Sequence, residues 1–189
     1  MRPTLTITAI LLLALLPLAA SAQIDSFGKP DTVFAELARV NEQTWTITIS
    51  VTNDEWIDAL SLPFIMDAGE TKIVGDSAVY TGGRVDEFDF KGFRADTAVQ
   101  CVTMGLMANM GPGQNGLPPG DGRVVTVFVS TIDDEPLISL NVDSTTTQPT
   151  NSLMMMAQRI QPGNPPDTIP DERFDDLRII PVLVVHKTE

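Results

Sequence analysis

The chain has 189 residues, of which 12 are basic and 25 acidic, giving a formal net charge of −13 at pH 7. A balance this acidic repels phosphate backbones and anionic headgroups, which argues against nucleic-acid or membrane-surface partners; its ordinary role is solubility. One cysteine, Cys101, and one histidine, His186, exclude an intrachain disulfide and the usual zinc ligand sets.

Residues 1–22 have the pattern of a cleavable export signal. Arg2 supplies a positive start, an apolar run follows from Ala9 to Leu16, and Ala20-Ser21-Ala22 offers a small-x-small cleavage site before Gln23. The apolar run is well short of the ~20 residues a spanning helix needs, and no basic stop-transfer cluster follows it. No cysteine stands beside the cleavage point to take a lipid. The expectation is an exported chain, extracellular or periplasmic, with no membrane insertion after cleavage. Residues 23–32 read as a loose lead-in and residues 33–189 as one domain, long enough to be held by its core alone.

Along that domain the apolar pattern is one of short strands. Val33 to Val40 is the first. Thr44 to Thr52 is the clearest: Trp45, Ile47, Ile49 and Val51 fall on one face, and Thr44, Thr46, Thr48, Ser50 and Thr52 on the other. The turn Asn53-Asp54-Glu55 ends it. Leu60, Leu62, Phe64 and Met66 alternate through Ser61 and Pro63. A proline donates no ladder hydrogen bond, so this strand is expected at a sheet edge or with a bulge. Further candidates are Ala78–Tyr80, Phe88–Phe93, Val99–Met107, Arg123–Ser130, Leu137–Val142, Leu153–Ala157 and Arg178–His186. Within Arg123–Ser130 the run Val124 to Val129 is apolar on both faces and is expected mid-sheet. Gly- and Pro-rich breaks at Gly111–Gly120 and Gln161–Pro166 favour loops. About nine or ten short strands at this spacing predict an all-β antiparallel sandwich.

The search for chemistry eliminates more than it finds. Gly75-Asp76-Ser77 looks like the opening block of the GDS-type esterases, whose serine needs a histidine lying three residues after an aspartate near the C-terminus. Here the residue three before His186 is Leu183, so the base and its orienting partner are missing and the segment reads as a turn feeding Ala78–Tyr80. Gly120-Asp121-Gly122 lacks the Lys-Ser/Thr of a phosphate loop. The acidic runs Asp86-Glu87-Asp89 and Asp133-Asp134-Glu135 suit solvated turns. They also offer hard oxygen ligands of the kind Ca²⁺ takes, without the alternating spacing of a calcium loop. Cys101, inside the apolar stretch Val99–Met104, reads as a packed thiol. Trp45 falls on the buried face of its strand, and Trp56 after a turn is partly exposed; two such rings and Tyr80 make a poor sugar platform. Met154-Met155-Met156 reads as an adaptable contact stripe or, more simply, a strand covered on both faces.

The order of strands resembles the cohesin-like and carbohydrate-module-like sandwiches of exported bacterial proteins. The segments that carry the likeness are Thr46–Glu55 (TITISVTNDE), Leu60–Phe64 (LSLPF), Asp76–Val85 (DSAVYTGGRV), Leu117–Phe128 (LPPGDGRVVTVF), Ile138–Asp143 (ISLNVD) and the closing strand Ile179–Val185. The resemblance implies a jelly-roll sandwich that grips a partner module, called dockerin, through one sheet face and adjoining loops. It implies a non-catalytic binding module whose partner is another exported protein on a separate chain. No catalytic, cofactor or metal residue is assigned, with Ca²⁺ the one ion the composition leaves open. The alternatives are a carbohydrate-binding module on the same scaffold, with a polysaccharide ligand, and a hydrolase whose carboxylates meet only in the fold.

Overall fold

A computed structural model describes Asp25 and residues 27–110, 116–144, 152–162, 167–168 and 177–188. The expected export signal, 1–22, lies outside the described residues. The described residues form β1 (Thr32–Arg39), β2 (Thr44–Asn53), β3 (Ile57–Asp67), β4 (Ile73–Val79), β5 (Phe90–Asp96), β6 (Cys101–Met107), β7 (Gly120–Thr131), β8 (Asn141–Asp143), β9 (Met154–Ala157), β10 (Ile160–Gln161), β11 (Asp167–Thr168), β12 (Arg178–Ile179) and β13 (Val182–Thr188). Ten have three or more residues, as the sequence predicts; three are two-residue ladders too short to show a period.

Two sheets face each other. The first runs β13-β1-β2-β7-β4 and the second β12-β9-β3-β6-β5, with β8 also on β3. All pairings are antiparallel except β1 with β13. The alternation in β2 decides which side is core: Trp45, Ile47, Ile49 and Val51 are buried, and Val125, Val127 and Val129 of the neighbouring β7 join them. From the second sheet Leu60, Leu62, Phe64, Met104, Leu106 and Met155 complete the interior. Each such side chain contributes about 1.5–3 kcal/mol on burial, so the fold needs no cross-link. β7 lies between β2 and β4, mid-sheet as its two-sided apolar run predicts.

Three expectations change. The strand containing Pro63 is not at an edge, because β3 sits between β9 and β6. β9 pairs with β3 as far as Ser61 and β8 takes over at Ile65, so Pro63 stands where the ladder changes partner and its missing donor costs nothing. The bulge in that strand lies earlier, between Ile57 and Ala59. Gly75-Asp76-Ser77 is not a turn but the inside of β4, with the register shift falling between Gly75 and Ser77. Leu137–Val142 forms a ladder only over β8; Leu137 and Leu140 are buried, and the Leu137 carbonyl accepts a hydrogen bond from Trp45 Nε1 at 3.0 Å.

Candidate functional site

The two outer faces of the sandwich differ in chemistry. On the first sheet β2 and β7 turn outward Thr44, Thr46, Thr48, Ser50, Thr126 and Ser130 with Phe128 among them, and β1 and β13 add the exposed Phe34, Val182 and Val184. On the second, registered pairs place Phe90, Met107, Ala59, Met156 and Arg178 in one row across five strands. The next row is Gly92, Gly105, Ser61 and Met154. Phe90 and Met107 are 44% and 42% exposed, and Met154 and Met156 are half-buried. The Phe90 ring lies over Gly92 and Gly105; a Cβ at Gly92 would come within 2.8 Å of it. A low surface of methionine, glycine and alanine with one ring laid across it can adapt to an opposing protein surface. The methionine run therefore divides: Met155 is core, while its neighbours face outward and are not fully covered.

At one end of the sandwich lies a second feature, which the sequence reading missed. The β1–β2 hairpin pairs Thr32 with Thr52, so Asp31 comes to the level of the turn that holds Asp54 and Glu55. Asp25, Asp31, Asp54 and Glu55 each offer a carboxylate oxygen within 4.8 Å of the others. Asp31 is 1% and Glu55 5% exposed, and none of their four carboxylate oxygens meets a well-formed hydrogen bond. Burial pushes the Glu55 carboxyl up to about 9, with contact from Asp54 and the charge of Asp31 adding to it. Burial likewise raises Asp31 to about 6; contact with Glu55 and with the Asp54 backbone opposes the rise, while the charges of Asp25 and Asp54 add to it. Arg84 is adjacent but committed elsewhere: it donates to Val51 O and Asn53 Oδ1, both at 2.9 Å, to Gly120 O at 3.1 Å and to Pro118 O. Asn53 in turn donates to Glu55 O at 2.6 Å and fixes the turn. The lead-in is anchored here, with Phe27 packed against the core and Lys29 N donating to Asp54 Oδ2 at 2.8 Å. The signal legible in the sequence is the hairpin itself, whose two strands the apolar pattern predicts.

The residues singled out in the sequence stand apart from this cluster. Asp86 Oδ2 accepts from Gly82 N within a turn, and Asp89 Oδ2 from Met110 N beyond the end of β6, both at 2.9 Å, so these acids hold loop backbone. Asp133, Asp134 and Glu135 are exposed after β7. Ser77 on β4 and His186 on β13 occupy opposite edges of the first sheet, four strand spacings or about 19 Å apart, and form no dyad. Cys101 is buried. Trp45 is core, Trp56 is half-buried, and the Tyr80 hydroxyl donates to Gly92 O at 3.2 Å, so none of these three rings is free to stack on a sugar. Asp31 and Glu55 are the close carboxylates a hydrolase would require, but both are buried rather than lining a cleft.

No family model matches the sequence, and no curated protein does. Solved structures do match in fold. The OlpA cohesin of Clostridium thermocellum, in a cohesin–dockerin complex, superposes with a TM-score of 0.55 at 10% identity, covering 85% of this chain and 100% of that one. The OlpC cohesin of the same organism, also in a dockerin complex, gives 0.53 at 13% identity over 87% and 98%. The sixth cohesin of Acetivibrio cellulolyticus scaffoldin B, in complex with a Cel5 dockerin, gives 0.53 at 8% identity over 85% and 100%. The chain has a cohesin-like β-sandwich fold. Among the described residues no helix is long and apolar enough to cross a membrane.

Proposed function

We propose that this chain is an exported, non-catalytic module that binds a protein on a separate chain through the outer face of its second sheet. The observation that carries the reading is the registered row Phe90, Met107, Ala59 and Met156, an adaptable apolar strip ended by Arg178 on an otherwise acidic molecule. The outer face of the first sheet also exposes Phe34 and Val184, but sets them among hydroxyls and charges and carries no methionine. The fold supports the same reading, since the cohesins it resembles were solved gripping dockerin modules. The occupant proposed is accordingly a small folded module of dockerin-like kind. The carbohydrate alternative is disfavoured by Trp45 and Tyr80, whose polar atoms are bonded inside the chain.

The test is capture from the host's exported fraction, run beside a polysaccharide panel. Wild type and Thr48→Glu, on the opposite face, should retain the same protein, and Met107→Glu and Met156→Glu should lose it. Retention on a polysaccharide with no protein captured, or capture indifferent to Met107→Glu and Met156→Glu, contradicts the reading.

A further inference from the structure

We propose that Asp25, Asp31, Asp54 and Glu55 form a calcium site that clamps the segment before β1 to the β2–β3 turn. The proposal is independent of the partner-binding face, which lies on the second sheet.

The donor set is the first argument. Four carboxylates and no nitrogen or sulfur ligand make a hard-oxygen site, suited to Ca²⁺ or Mg²⁺ rather than zinc or iron. Ca²⁺ holds its oxygens at 2.3–2.6 Å, so ligands on opposite sides of the ion stand about 4.6–5.2 Å apart. One oxygen from each of the four carboxylates lies within 4.8 Å of the other three, inside that span. Mg²⁺ dehydrates reluctantly and prefers to keep several waters, which a crowded set of four carboxylates, two of them buried, disfavours.

The second argument is the buried, unpartnered pair. Acidic groups cluster on protein surfaces without holding ions, but Asp31 and Glu55 are almost wholly buried, and their four carboxylate oxygens meet no well-formed hydrogen bond, only one another and the acid Asp54. Burying a carboxylate without compensation costs several kcal/mol. Asp25 Oδ2 is also buried without a donor, while its Oδ1 takes Phe27 N at 2.9 Å. The nearest guanidinium, that of Arg84, spends its donors on three backbone carbonyls and Asn53. The fold thus brings carboxylates together, withholds the available side-chain cation and leaves their oxygens facing one another. A divalent cation satisfies them.

The backbone around the cluster is fitted to this arrangement. Asp31 O accepts from Val182 N at 2.9 Å, which pins the residue between β1 and β13. Gly28 lies so close to the Asp54 carboxylate that a Cβ there would overlap it.

The experiment uses the purified protein stripped with EDTA and titrated with CaCl₂ by calorimetry and thermal melting. The expected result is one calcium per chain and a Tm rise of about 5–10 °C at a hundredfold excess over Kd. Asp31→Asn and Glu55→Gln should abolish the heat and the shift. Both should melt no lower than stripped wild type, because an amide is neutral at every pH and relieves the crowding of buried carboxyls; lost binding is then separated from lost folding. Asp133→Asn should respond like wild type. Absence of heat and shift in wild type, calcium binding retained by Asp31→Asn and Glu55→Gln, or an equal response to MgCl₂ at the same concentration would each overturn the site.

Discussion

Asp31 and Glu55 meet with their carboxylates buried and within 4.8 Å of each other, on residues that precede β1 and follow β2. The β1–β2 register, Thr32 opposite Thr52, carries them to the same end of the sandwich, so this contact is as fixed as the hairpin. Its energetic sign is set by what faces it: Asp25 and Asp54 add negative charge, and Arg84 is the cation whose field reaches Asp31.

The first prediction is a pH profile in chelator. Both carboxyls titrate higher when folded, Asp31 at about 6 against 3.8 and Glu55 at about 9 against 4.5. The folded state therefore binds more protons than the unfolded state across that window. The stability these groups allow is complete below the unfolded values and is lost as pH rises toward 9. In EDTA the protein should melt lower at pH 8.5 than at pH 5, and Glu55→Gln should shrink the difference. Equal melting temperatures in wild type at the two pH values would contradict this.

Arg84 is predicted to hold the same end of the fold together. Its guanidinium satisfies acceptors on the end of β2, on Asn53 and on the segment entering β7. Gly120 and Gly122 adopt φ of 146° and 141°, and a Cβ at Gly122 would stand 3.2 Å from Arg84 Cδ. A lysine cannot reproduce that planar fork, so Arg84→Lys should cost about 2–4 kcal/mol in urea unfolding. A loss below about 0.5 kcal/mol, the level of an ordinary surface substitution, would refute the role.

A third prediction separates the two ends of the esterase-like tripeptide. A Cβ at Gly75 would collide with Val102 Cγ1 between the sheets, so Gly75→Ala should lower stability by about 1–3 kcal/mol. Ser77 is exposed on the edge strand, and Ser77→Ala should be silent within about 0.5 kcal/mol. Chemical denaturation of the pair checks both; a silent Gly75→Ala would contradict the packing.

What the sequence makes legible follows from where periodicity decides structure. β2 is readable because Trp45, Ile47, Ile49 and Val51 see one core and five hydroxyls see the outside. β10, β11 and β12 have two residues each and no period to read. Pro63 misleads because the missing donor is absorbed by a change of ladder partner, from β9 to β8, that only the assembled sheet displays. Gly75-Asp76-Ser77 looks like a turn because a bulge uses the same residue types. The acidic cluster was hidden for another reason. Runs such as Asp86-Glu87-Asp89 catch the eye in sequence yet hold loop backbone, whereas Asp31 and Glu55 become neighbours only through strand pairing.

The central claim, that the outer face of the second sheet receives a protein partner, is tested most directly by methionine oxidation footprinting. Met107, Met154 and Met156 are accessible on that face, while Met155 in the same strand is fully buried and serves as the unreactive baseline. With the captured partner bound, peroxide oxidation of Met107, Met154 and Met156 should fall several-fold while Met155 stays unoxidised in both states. Unchanged oxidation of those three methionines in the complex would place the partner elsewhere and contradict the account.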